Sequence, residues 1–231
     1  MSEESWSNGT RKNRIYADLR RSVIMGHCLP GEKLDIRELA RRYGTSITPV
    51  REALQMLHQE GLVTIKPHVG YLVTQVTLKQ LRDLMELREI LELAAVERAA
   101  SRITGQQIQE LEQVYRGYTG DDDESYSRYT AENRTFHCAL AQAAGNQELT
   151  EMLGHLHDRL ARFMVLRRAG ATMHLSHGRI IDALRAHKVE EAAQAMRDEL
   201  TETRAIVLER VIQEQGDTWA LDGRREQGDG A

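Results

Sequence analysis

The chain has 231 residues, enough for two domains with sizeable cores, and its 41% hydrophobic and 29% charged content is ordinary for a folded protein. No run reaches the apolar length of a membrane span, and the N-terminal MSEESWSNGT is polar without a signal-peptide core, so a cytoplasmic protein with no membrane partner is expected. The net charge of −4 is unevenly divided: residues 1–76 hold 11 Lys/Arg against 8 Asp/Glu, residues 77–231 hold 20 against 27. A basic front part suits phosphate contact, but the small excess points to binding that relies on dimerisation.

Residues 1–10 are expected to be disordered. A first helix over 11–27 carries Ile15, Leu19, Val23 and Ile24 on one stripe and ends at Gly26. Asp35 can cap a second helix, with Glu38 in capping-box spacing and Ile36, Leu39 and Ala40 inward, and Gly44 stops it. Thr48 is the expected N-cap of the next helix, with Pro49 at its first position and Val50, Leu54 and Leu57 inward. Thr48, Arg51 and Gln55 then face outward. Two helices about a glycine turn, the second with an arginine-bearing front, make a helix-turn-helix. The β-prone runs 62–65 and 71–74 flank Lys66 to Gly70 and predict a hairpin wing.

All three prolines precede residue 77, and the remainder is rich in Leu, Ala, Glu and Arg, so a helical domain begins near Val76-Thr77. About six helices are predicted, over 77–103, 105–118, 123–144, 147–169, 173–187 and 190–214. Thr77 and Thr104 can cap the first two, and the acidic loop Gly120 to Asp123 precedes the third. Residues 216–231 are expected to form a flexible tail. The fold class expected is mainly α: an N-terminal winged helix-turn-helix (11–76) and a C-terminal all-α antiparallel bundle (77–215).

Polar residues interrupt the apolar stripes of that bundle. His177 shares a face with Ile180, Ile181 and Leu184; Glu199 sits among Met196, Leu200, Thr203 and Val207; Asn133 and His137 are one turn apart in line with Tyr126, Tyr129, Leu140 and Ala144. If the last two helices fold back near Lys188, His177 and Glu199 stand at the same height, roughly 16 Å from the turn at ~1.5 Å per residue. Two imidazoles, a carboxylate and an amide could hold a divalent ion of the Zn, Ni or Mn type. Each could equally be a satisfied polar group of the core. Cys28 and Cys138 lack metal-type spacing.

Residues 30–73, with Thr48-Pro49-Val50-Arg51-Glu52-Ala53-Leu54 and Glu60-Gly61-Leu62-Val63, resemble the DNA-binding domain of the GntR family of bacterial transcription regulators. The resemblance implies DNA contacts from Arg37, Ser46, Thr48, Arg51 and the wing tip His68 to Gly70. Arg suits guanine edges, and Ser and Thr suit phosphate. Two positions commonly arginine in that family are Ile47 and Val69 here, so lower affinity and a shifted base preference are expected.

Residues from about 80 to 212, with Glu86-Leu87-Arg88-Glu89-Ile90-Leu91-Glu92, Asn133 to His137 and His177, resemble the FCD-type ligand-binding domain of the FadR subfamily. That resemblance implies metal ligands at Asn133, His137, His177 and Glu199, where an aspartate and a histidine of the usual set are replaced by Asn133 and Glu199. His155, His157 and His174 could substitute but are expected at the surface or between helices. It also implies a small carboxylate effector held by Arg88 or Arg162. The whole reads as a cytoplasmic, dimeric, ligand-responsive repressor on a pseudo-palindromic double-stranded operator. Two alternatives stand beside it. One is a metal-free regulator of a larger apolar or acyl-type effector, with His177 and Glu199 hydrogen-bonded to each other. The other is a metal-dependent enzyme in which His137, His177 and Glu199 activate water, disfavoured because no catalytic motif is present.

Overall fold

The computed structural model describes residues 3–114, 120, 122–167 and 170–215. The front part contains α1 (Glu3–Ile24), β1 (Lys33–Leu34), α2 (Ile36–Arg42), α3 (Ile47–Gln59), β2 (Val63–Lys66) and β3 (Gly70–Val73). It is a helix-turn-helix closed by a β2–β3 hairpin. β1 adds a short third strand, giving the antiparallel order β1-β3-β2 with Leu34 opposite Tyr71 and Ile65 opposite Tyr71 on the other edge. That strand was not expected from sequence, because two residues give no alternation to read.

α1 begins at Glu3, inside the segment expected to be disordered. Asp35 caps α2 as expected, its carboxylate accepting from the Arg37 and Glu38 amides at 2.8 and 3.0 Å. The α2–α3 turn passes through Gly44 at φ 60°, a left-handed conformation that costs other residues energy. The cap of α3 is Ser46 and not Thr48, so Pro49 is the third helical residue. The reason is that the whole first turn lacks intrahelical acceptors, so proline is tolerated there beyond the first position. α3 buries Pro49, Val50, Ala53, Leu54 and Leu57 against α1 and the sheet.

The second part contains α4 (Leu78–Ala100), α5 (Gly105–Val114), α6 (Asp123–Ala143), α7 (Gln147–Arg167), α8 (Gly170–Arg185) and α9 (Val189–Gln215). Thr77 and Gln80 close a reciprocal capping box on α4, and Thr104 and Gln107 do the same on α5. Asp122 caps α6. α8 and α9 fold back at His187-Lys188, where His187 adopts φ 52° and its Nδ1 meets the Ala100 carbonyl at 2.8 Å. The expected tail and the last residues of the second predicted bundle helix, Tyr115 included, lie outside the described residues.

The bundle has two apolar cores. One gathers Ala95, Leu140, Leu153, Ile180, Leu184 and Met196; the other gathers Leu81, Met85, Leu156, Leu160, Phe163 and Val207. A third core fills the winged helix, and α7 reaches into it with Ala161 and Val165. One helix therefore packs against both parts of the chain. No described helix is long and apolar enough to cross a membrane.

Candidate effector cluster and DNA-facing surface

Between the two bundle cores lies a buried polar layer. α4 contributes Arg88 and Glu92, α6 Asn133 and His137, α7 His157, α8 His177, and α9 Glu199 and Thr203, none more than 4% exposed. The periodicity that makes these helices amphipathic also aims these side chains inward. Each stands at a stripe position, such as Leu81, Met85, Arg88, Glu92, Ala95 on α4.

Arg88 is at the centre. Its Nη2 donates to His137 Nε2 at 3.0 Å and lies 3.4 Å from Glu199 Oε2, while its Nε lies 3.4 Å from Glu92 Oε1. Because a guanidinium can only donate, His137 must present a lone pair at Nε2 and carry its proton on Nδ1. That Nδ1 lies 2.9 Å from Glu92 Oε1, out of line for a hydrogen bond. His157 Nε2 donates to the same Glu92 oxygen at 2.8 Å. Thr203 Oγ1 donates to Glu199 Oε1 at 2.9 Å. The rings interlock: His177 stacks on Phe136 at 4.0 Å, and His137 on His157 at 4.7 Å.

Burial alone would raise the Glu92 carboxyl, but the His137 ring close beside it and the hydrogen bond from His157 hold it well below the usual carboxylate range. Burial pushes His157 down to about 4; Arg88 and His137 push the same way, against the Glu92 hydrogen bond. At neutral pH His157 is therefore a neutral donor to an ionised Glu92. Glu92 Oε2 has no hydrogen-bond partner among the described residues. A buried carboxylate oxygen without a partner is costly.

The sequence-predicted ligand set does converge in part. Atoms of His137, His177 and Glu199 lie within 4.8 Å of one another, as do atoms of Glu92, His137 and His157. Asn133 is buried one turn from His137. Proximity is met, but a lone pair at the residue common to both groups is already engaged. His137 belongs to both groups, and its Nε2 lone pair is taken by Arg88. As arranged, Arg88 occupies one lone pair that a divalent ion at His137 would use.

From sequence, Glu92 enters only as part of the family motif and not as a site residue, and His157 is expected at the surface or between helices. His157 is 3% exposed and belongs to the cluster, whereas His155 is exposed; the side chain of His174 lies outside the described residues. Arg88, expected only as an effector contact, is an integral member. Arg162 is not with it: it lies on the side of α7 that faces α1, where a Cβ at Gly26 would come within 3.9 Å of its Nη2. Arg88 and Glu92 do interrupt the α4 stripe, but a charged pair four apart is also the ordinary mark of a solvated helix face.

His157 is followed on α7 by Asp158, which points to the winged helix. Asp158 Oδ1 accepts from Arg20 Nη2 of α1 at 2.9 Å, and Arg134 of α6 binds both its oxygens at 2.8 and 3.0 Å. Arg20 Nε also donates to Glu60 at 2.8 Å, and Tyr16 donates to the same carboxylate. Glu60 is the C-cap residue of α3. Adjacent residues of one helix thus join the buried cluster and the end of the second helix of the helix-turn-helix. A cleft of about 570 Å³ opens beside these ion pairs, lined by residues of α1, α6 and α7.

At the other end of α3, Ser46, Thr48 and Arg51 are exposed, as are Arg37 on α2 and His68 at the wing tip, while Gly70 is half-buried. His68 and Gly70 both take positive φ, 60° and 106°, which makes the tight wing turn. Ile47 and Val69 are exposed apolar residues on this surface, at 38% and 44%.

Comparison with known proteins decides the family. Residues 11–73 match the model of the bacterial regulatory proteins, gntR family, and residues 83–202 match the FCD domain. The chain is a GntR-family regulator with an FCD domain. It is 27% identical over 192 residues to the HTH-type transcriptional regulator YdhC of Bacillus subtilis, covering 78% of this chain and 84% of that protein. It is 28% identical over 200 residues to the HTH-type transcriptional repressor GlaR of Escherichia coli, covering 80% and 90%. The solved structure of McbR/YncC of E. coli superposes with a TM-score of 0.66 at 25% identity, over 87% of this chain and 98% of that one. These relatives are transcription regulators and not enzymes, so this GntR/FCD protein binds DNA through the winged helix to regulate transcription.

Proposed function

We propose that this GntR/FCD protein is a cytoplasmic, homodimeric repressor of the FadR subfamily whose affinity for a pseudo-palindromic operator responds to a small carboxylate held in the buried cluster of its helical domain. Residues 11–76 form the DNA-binding domain and 77–215 the effector and dimerisation domain. The observation that carries the reading is the placement of His157 and Asp158 side by side on α7, one bonded to the cluster and the other to Arg20 of the winged helix. A ligand that repositions Glu92 moves its His157 partner, and with it the helix that holds Arg20 and, through Glu60, the C-terminus of α3.

Arg88 supports a carboxylate over an apolar effector. Its contacts to Glu92 and Glu199, both 3.4 Å, are longer than the ~2.7–2.9 Å of a good charge-assisted hydrogen bond, so an incoming carboxylate with better geometry can compete for it. Exposed Leu87 and Ile90 on α4 support a second copy covering that helix. Repression is favoured by the repressor names of the relatives RspR and GlaR of E. coli. DNA contact is assigned to Arg37, Ser46, Thr48, Arg51, His68 and Gly70, with Arg51 reading base edges from the front of α3.

The test is selection of a binding site from random duplex DNA, followed by titration with wild type and Arg51→Ala. An enriched palindrome bound about 5–150-fold more weakly by the variant, the span of ~1–3 kcal/mol for one bidentate base contact, supports the reading. Unchanged binding by Arg51→Ala would remove the recognition-helix assignment.

A further inference from the structure

We infer that Arg88 is the resident cation of the buried cluster, standing where a divalent metal would otherwise be held, so that this regulator works without metal and would acquire a metal site if Arg88 lost its charge. The inference concerns the same cluster as the proposed effector site. Its test reads metal in free protein and is therefore independent of operator binding.

A metal needs lone pairs directed at a common point. His137 is the ligand shared by both potential groups, and its Nε2 lone pair accepts Arg88 Nη2 at 3.0 Å. The same Nη2 lies 3.4 Å from Glu199 Oε2, while His137 Nε2 and that oxygen are 3.9 Å apart. One nitrogen of the guanidinium thus lies close to both atoms that an ion would bridge. A Zn²⁺ bonded to the imidazole at ~2.0–2.1 Å and to the carboxylate at ~2.0–2.2 Å would sit against a permanent positive charge. Arg88 is 2% exposed, so water offers no screening and the guanidinium cannot swing into solvent without unpacking α4 from α7 and α9.

The donor types agree with the geometry. Asn133 supplies a neutral amide where an anionic oxygen would help to offset a divalent charge, and the carboxylates that remain, Glu92 and Glu199, both approach Arg88. The cation joins α4 to α6 through His137 and to α9 through Glu199, the same tie across helices that a metal gives. It does so with a covalently attached charge that no chelator can remove.

Wild type, His177→Gln, Arg88→Met and Arg88→Met/His177→Gln would each be exposed to Zn²⁺, dialysed into metal-free buffer and assayed for bound zinc. Wild type is expected to keep no more zinc than His177→Gln. Folded Arg88→Met is expected to gain about one ion per chain, lost again in the double variant. Zinc in wild type exceeding that in His177→Gln by about one per chain would overturn the inference, as would a folded Arg88→Met that gains none. Should Arg88→Met not fold, the melting temperature of wild type with excess Zn²⁺ settles the point. No change beyond that seen with His177→Gln supports the resident cation; a rise of several degrees confined to wild type refutes it.

Discussion

Replacing Asp158 with Asn should loosen the junction between the winged helix and the helical bundle without disturbing the buried cluster itself. The carboxylate is 7% exposed and serves two guanidiniums: Arg20, 23% exposed, at 2.9 Å, and Arg134, 40% exposed, at 2.8 and 3.0 Å. A hydrogen bond to a charged group contributes about 1.5–3 kcal/mol when well shielded. Partial exposure of both arginines reduces this, and Asn keeps one acceptor, so the expected total loss is about 2 kcal/mol. For a chain of this size that corresponds to a fall in melting temperature of roughly 4–8 °C.

A fall of that size alone would follow from many substitutions, so the decisive quantity is the coupling. Arg20→Met should destabilise wild type by about 1 kcal/mol more than it destabilises Asp158→Asn, because in the second background its partner's charge is already gone. The assay is thermal or urea unfolding of the four proteins in a double-mutant cycle at low salt. Additivity within about 0.3 kcal/mol would show that the Arg20–Asp158 contact transmits nothing between the two parts of the chain.

Three further outcomes are expected. Val69→Arg, at an exposed position of the wing tip, should tighten operator binding and steepen the log–log salt dependence by about 0.9, one added phosphate contact; an unchanged slope would place the wing away from DNA. Acidification should destabilise the protein through His157. Its ordinary value near 6.5 applies in the unfolded chain, whereas the folded ring, facing Arg88, His137 and Glu92, stays neutral to about 4. Protons therefore bind the unfolded state first, and stability is lost as pH falls from about 6.5 towards 4, at up to about 1.4 kcal/mol per pH unit. Urea midpoints measured across that window should fall less steeply in His157→Gln, and equal slopes would contradict the assignment. Thr203→Val should cost about 1–2 kcal/mol by removing the hydroxyl that donates to buried Glu199; an unchanged urea midpoint would show that the bond contributes nothing.

Helix periodicity carried most of the fold. The stripes Ile15-Leu19-Val23 on α1, Val50-Leu54-Leu57 on α3 and Leu149-Leu153-Leu156-Leu160 on α7 are buried as their spacing requires. Capping chemistry located Asp35, Thr77 and Thr104, since each is followed three residues on by a Glu or Gln. It failed at α3, where Ser46 and Thr48 are both competent caps and a proline in the first turn does not say which. The site was half legible. His137, His177 and Glu199 were visible as single polar residues on otherwise apolar stripes, and the helical rise brought the last two to one level. Arg88 and Glu92 were harder because both are charged and four apart, a spacing that on a surface helix signals a solvated ion pair. What buries them is packing by α6, α7 and α9, which no single stripe records. The role of Arg162 could not be read locally either, since helix period does not say which of two neighbouring bodies a face meets.

Communication between the buried cluster and the winged helix is tested most directly by one titration. Affinity for the selected operator would be measured with wild type and Arg88→Met across a panel of small mono-, di- and tricarboxylates. At least one of them should change the wild-type Kd by about tenfold, a coupling of about 1.4 kcal/mol, and leave the Arg88→Met Kd unchanged. A carboxylate that binds the wild-type protein by calorimetry yet leaves its operator Kd unaltered, or that shifts the Kd of Arg88→Met equally, would contradict the account.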